Sequence, residues 1–290
     1  MKAATEYPNW LDRNEYPFNG KYIQVDGGNM HYVDEGEGPA VVMVHGTPTW
    51  SFLYRHMIKN LRVDYRCVAM DHIGFGMSDK PESWAYTPEA HGQNVELLLD
   101  KLAPDDITLI VHDFGGPIGL SYAIEHPEKI SRIVICNTWL WSLQEDDTVA
   151  KAAKIAAGPV GKFLYTHFNF SARMLIKQGF HDTEKLTKDI HKQYIRPFDS
   201  RSKRAGTIGF AEALLGSGEW YDSLWSKRDR LTGKPKTFLW GMEDGFLQPD
   251  MLDKWKTAFP DAAVEEIEAG HFVQEEQPAK VNQVLREFLP

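Results

Sequence analysis

Cysteine is scarce in this chain: two among 290 residues, Cys67 and Cys136, each inside an apolar, strand-like run. That leaves no disulfide framework, and both thiols read as small core residues of a protein from a reducing, cytoplasmic compartment. No apolar run approaches the length that spans a bilayer, and the opening text MKAATEYPNWLDRNEYPFNG has neither a basic n-region nor an apolar h-region, so the expectation is a soluble, unprocessed chain. No Lys/Arg-rich tract interrupts a formal charge of −9, which repels polyanions and argues against nucleic acid or a membrane as partner. There is no internal repeat, no low-complexity linker and no GxSxG, so a serine nucleophile has no elbow to sit on. What is plentiful is core material: 42% hydrophobic residues with nine tryptophans.

The pattern along the chain is alternating. KYIQVDGGNMHYVDEG reads as a hairpin around Asp26-Gly27-Gly28. After it come the strand AVVMVHG, the helix SFLYRHMIKNL, the strand RCVAMDH, the helix PEAHGQNVELLLDKL, the strand ITLIVHD, a further helix and the strand ISRIVICNT. Such alternation is a parallel sheet with crossover helices. Over 139–215 the strands stop and the text turns helical and aromatic, with GKFLYTHFNFSARMLI and TEKLTKDIHKQY its clearest pieces. This predicts a helical cap on a core of residues 1–138 and 216–290, placed over the carboxyl ends of the strands where open sheets bind ligands. KTFLWGMED, DMLDKWKTAF, AVEEIEAGH and KVNQVLREFL resume the alternation.

Chemistry concentrates at strand ends. In TLIVHDFGGPIG a carboxylate, Asp113, occupies the apex of a strand–turn–helix where a sharp turn lifts one side chain into a pocket. Asp before Gly-Gly can also simply cap a helix. Three companions favour chemistry: the VHGTP loop offers a backbone N–H from Thr47 to an oxyanion hole beside that of Phe114, His271 follows the last strand in AGHFVQEE, and Asp244 in WGMEDGFL ends the strand before it. His181 and His191 lie in charged cap text and read as solvated, so no metal site is expected.

The segments HGTPTWSFLYR, DHIGFGMSDKP, HDFGGPIG, NTWLW, WGMEDGFL and AGHFVQEE together resemble the haloalkane dehalogenases of the α/β-hydrolase superfamily, over nearly the whole chain. The resemblance implies a mostly parallel eight-stranded sheet with an inserted helical cap, a catalytic triad of Asp113, His271 and Asp244, and no metal or organic cofactor. It implies hydrolysis of a small apolar haloalkane with water as co-substrate; a monomer is the expectation. A carboxylate suits attack on a halogen-bearing carbon because it leaves a cleavable ester, where serine leaves a stable ether. Asn137, at the family's other acid position, cannot carry the charge that stabilises an imidazolium. The departures from the family are Phe114, where an indole N–H ordinarily faces the leaving halide, and Thr47, where the HGxP loop can carry an asparagine as second donor; losing such a donor costs roughly 3 kcal/mol, about a hundredfold in rate. Trp139, Trp141, Trp220 and Trp225 are candidate replacements, and Trp139, Trp141 and Tyr165 are the expected pocket residues. Epoxide hydrolysis assisted by Tyr165, Tyr194 or Tyr221 is the alternative, ahead of fluoroacetate dehalogenation, for which Phe114 and Pro117 replace the expected arginines. A catalytically silent binder on the same fold is a third reading.

Overall fold

In a computed structural model that describes residues 2–3 and 6–290, nine strands form one sheet. They are β1 (Lys2–Ala3), β2 (Gly20–Val25), β3 (Gly28–Glu35), β4 (Ala40–Val44), β5 (Arg66–Met70), β6 (Ile107–His112), β7 (Ile130–Cys136), β8 (Lys236–Gly241) and β9 (Ala263–Ile267), in the spatial order β1-β2-β3-β5-β4-β6-β7-β8-β9. The two-residue β1 adds a short edge to the expected eight. β2 and β3 form the hairpin, with Val25 opposite Gly28, and β3 runs antiparallel to β5. From β5 to β9 every pairing is parallel. The central strands read as unbroken apolar runs because both faces are covered. Val42 and Val44 of β4 face one core with Leu109 and Val111 of β6, while Val41 and Met43 face the other with Ile110 and Cys136. Cys67 and Cys136 are free and buried, and burial pushes the Cys67 thiol up to about 12.

The core helices are α1 (Arg55–Leu61), α2 (Pro88–Leu102) and α3 (Gly115–Glu125). α2 occupies the span expected for it because Thr87 caps it, accepting from the Ala90 N–H, and Pro88 stands in its first turn. Between β7 and β8 lie α4 (Asp147–Ala157), α5 (Pro159–Phe168), the single turn α6 (Ile176–Gln178), α7 (Lys188–Ile195), α8 (Ala205–Gly216) and α9 (Gly218–Ser226). α10 (Pro249–Ala258), α11 (Val273–Glu276) and α12 (Pro278–Phe288) complete the chain.

Two cap segments differ from expectation. GKFLYTHFNFSARMLI is interrupted at Asn169, whose φ of 52° ends α5. TEKLTKDIHKQY becomes helical only at Lys188, since the Thr187 side chain accepts from the Ile190 N–H and fixes the start there. His191, expected in solvent, is buried, with Nε2 2.9 Å from the Ala172 carbonyl. It ties α7 to the helical stretch that precedes α6.

Candidate active site

The residues at the carboxyl ends of β4, β6, β8 and β9 converge. Asp113 follows β6 with φ 53°, the left-handed geometry of a sharp strand-to-helix turn. Its neighbours make room for it: a Cβ on Gly46 would lie 2.0 Å from Asp113 Oδ1, and one on Gly115 would lie 2.0 Å from the Val44 carbonyl oxygen. The Thr47 N–H donates to Asp113 Oδ1 at 2.7 Å. The other oxygen, Oδ2, is 3.5 Å from His271 Nε2.

His271 Nδ1–H donates to Asp244 Oδ2 at 2.7 Å. Asp244 is itself fully engaged: Oδ2 also accepts from Asn137 Nδ2 at 2.8 Å, and Oδ1 accepts from the N–H groups of Phe246 and Leu247 at 2.7 and 3.1 Å. Burial pushes the Asp244 carboxyl up, but His271 and these donors outweigh it and hold the group below its ordinary value. For His271 burial disfavours the cation, yet Asp244 and Asp113 prevail and raise it to about 10. The two acidic neighbours thus favour the protonated form of the imidazole. Its backbone is fixed on both sides, the N–H donating to the Gly179 carbonyl at 2.7 Å and the carbonyl accepting from His112 Nε2 at 2.8 Å. Burial lowers His112 to about 3, which keeps it a neutral donor.

A cavity of about 440 Å³ opens in front of Asp113. Thr47, Asp113 and His271 form its polar end, and Leu143, Val149, Leu164 and Phe170 are among its apolar walls. Phe114 stacks on Phe210 with centroids 4.4 Å apart and meets Trp139 edge-on at 4.9 Å. Two donors lining this cavity, Trp139 Nε1 and Thr47 Oγ1, are buried and find no partner among the described residues. Tyr165 also lines it, and burial followed by the Asp113 charge pushes its phenol up to about 12, so it stays protonated.

Other candidates lie elsewhere. Trp141 is not part of the cavity wall; it packs edge-on against Trp225 and Trp255, with Lys254 Nζ 4.3 Å from its ring. The flat, apolar indole is used there as packing between α9 and α10. Trp220 and Trp225 are likewise absent from the wall. The Tyr194 hydroxyl donates to Glu275 and that of Tyr221 to the Ala213 carbonyl at 3.1 Å, so of the three tyrosines only Tyr165 faces the cavity. Sequence reasoning set Asn137 aside as a failed acid. Its amide instead donates to Asp244, 107 positions away in the chain, a pairing that no local signal in the sequence marks.

The alpha/beta hydrolase fold family matches residues 39–278. Among curated proteins, a cis-3-alkyl-4-alkyloxetan-2-one decarboxylase of Shewanella oneidensis is 34% identical over 283 residues, covering 94% of this chain and 89% of that protein. Haloalkane dehalogenase 2 of Mycobacterium bovis is 32% identical over 275 residues, covering 93% and 94%. Among solved structures, the haloalkane dehalogenase DatA of Agrobacterium tumefaciens superimposes with a TM-score of 0.82 at 25% identity, over 93% of this chain and 95% of that one.

Proposed function

The chain belongs to the alpha/beta hydrolase fold family as a haloalkane dehalogenase-like enzyme, and on that premise we propose that it hydrolyses small apolar haloalkanes through an ester formed on Asp113. The observation that carries this reading is a carboxylate at the elbow, one oxygen held by the Thr47 N–H, facing an apolar cavity with His271 alongside. Asp113 attacks the carbon, the carbon–halogen bond breaks, and halide leaves with the electron pair. The unpaired Trp139 and Thr47 donors are the groups available to receive it, in place of the donor that Phe114 lacks.

Ester formation also prepares the second step. His271 is raised by two carboxylates, and alkylation neutralises one of them, so its pKa falls and its proton passes to solvent water as the halide departs, the two together being the net acid released. The neutral imidazole then takes a proton from water as that water adds to the ester carbonyl carbon. The Thr47 and Phe114 N–H groups stabilise the oxyanion and Asp244 offsets the imidazolium; on collapse the Cγ–O bond to the alkyl group breaks, the imidazolium protonates the departing alkoxide, and the new Asp113 acid returns its proton to His271.

The test is His271→Ala incubated with 1-bromohexane and followed by intact mass. We expect a hexyl adduct on Asp113 with one bromide released per protein. Bromide release from protein that stays unmodified would reject the covalent route.

A second reading rests on Phe114. In an oxetan-2-one the leaving group is a carboxylate within a strained ring, which departs with less help than chloride. Asp113 attack on the carbon bearing the ring oxygen would open the ring. Loss of CO2 would then form a double bond as the Asp113 carboxylate is expelled. A cis-3,4-dialkyl oxetan-2-one giving alkene and CO2 while bromoalkanes give no bromide would favour this reading over the first.

A further inference from the structure

The cap carries an unusual outer face. Of eight exposed large hydrophobic side chains among the described residues, five lie within 155–174: Ile155, Val160, Phe163, Phe168 and Met174, the first two 67% exposed. Val160, Phe163 and His167 share one face of α5, with Phe163 stacked on His167 at 4.4 Å and 5.9 Å from Phe168. Water is a poor solvent for such a cluster, and among the described residues no other element covers it.

Basic residues outnumber acidic ones along this stretch, although Glu145, Asp146 and Asp147 directly precede it and Glu212 of α8 reaches it. Residues 148–178 contain Lys151, Lys154, Lys162, Arg173 and Lys177 and no Asp or Glu, in a chain of formal charge −9. Lys162 pairs with Glu212, while Lys151, Lys154, Arg173 and Lys177 have no carboxylate in ion-pair reach among the described residues. The whole-chain charge that argues against an anionic surface is thus an average that hides a basic, apolar patch. The cavity opens beside it: Thr148, Ala152 and Ile155, at helical spacing on α4, are exposed and also line the cavity.

We propose that this face of the cap seats on an anionic lipid bilayer and admits apolar substrate from the acyl region directly into the cavity. Apolar side chains at the headgroup boundary with lysines around them are the chemistry of an interfacial element. The acidic remainder of the molecule is repelled by the same surface, which fixes the approach cap-first. A protein seated there would close the mouth, whereas acyl chains are themselves a reservoir of apolar substrate.

The test is flotation of the full chain with vesicles of phosphatidylcholine alone or mixed with phosphatidylglycerol, without substrate. The protein should float with the anionic vesicles far more than with the neutral ones, and the difference should shrink as salt shortens the screening length from about 10 to about 3 Å. Lys151→Glu/Lys154→Glu should cut partitioning at least about tenfold. Val160→Ser/Phe163→Ser should reduce it too, with both variants keeping a melting temperature close to the wild type because all four side chains are exposed. Absence of flotation, flotation unchanged by both variants, or a dimer that buries the patch and does not float would each overturn the proposal.

Discussion

With His271 protonated the proposed triad of Asp113, His271 and Asp244 holds two carboxylates and one cation, an excess of one negative charge in a buried site. Folding stability must register it. The imidazole is raised from 6.5 to about 10, so its contribution is complete below pH 6.5 and is lost as pH climbs toward 10. Melting temperatures of the wild type and His271→Gln should therefore converge across that window, and a constant gap would contradict the ion-pair account. On the proposed mechanism Asn137 acts as a positioning residue for Asp244. Removing its amide in Asn137→Ala takes a hydrogen bond from the charged Asp244, and such a bond is worth about 1.5–3 kcal/mol. On the proposed chemistry kcat should fall about tenfold or more with KM little changed. Phe114→Trp should raise turnover of chloroalkanes more than bromoalkanes, since chloride is the poorer leaving group; equal gains would place the limitation elsewhere.

Elements that are far apart in the chain are joined by one buried ion pair. Arg55 of α1 donates to both oxygens of Glu275 in α11, 220 positions away, and the arginine is only 2% exposed. Tyr194 of α7 donates to the same carboxylate, linking the cap to both. Arg55→Ala strands a buried charge and should cost about 3–5 kcal/mol in urea unfolding. Arg55→Met/Glu275→Leu, which removes both charges, should recover most of that. This pair explains two conspicuous segments, HGTPTWSFLYR and AGHFVQEE, whose ends meet in space, and nothing in the sequence marked them as partners. Legibility divides along that line. α2, the hairpin and the residues closing β6 and β8 could be read because caps, turn glycines and apolar runs are local signals. The start of α7, the burial of His191 and the part played by Asn137 depend on contacts between distant segments. Trp139 and Trp141 are two residues apart with the same indole, and only packing separates the one on the cavity wall from the one in the Trp225–Trp255 cluster.

The molecule as a whole is stitched rather than hinged. Gly179 in the cap accepts from the His271 N–H, the Asp182 N–H donates to Glu276 at 2.8 Å, and Gln193 bridges Trp10 and Trp50. A cap bound this way should unfold with the sheet. Activity, tryptophan fluorescence and far-ultraviolet circular dichroism should be lost at one urea midpoint, and an earlier loss of activity alone would reveal an independently melting cap. The divided carboxylate of Asp113 has a last consequence for this body of atoms. If Thr47 pins one oxygen while the other bonds to substrate, each alcohol departs carrying an oxygen that belonged to the protein, and solvent replaces it. In heavy-oxygen water the first product should be isotopically ordinary and the enzyme itself labelled, so that its elemental identity is renewed with every molecule it converts.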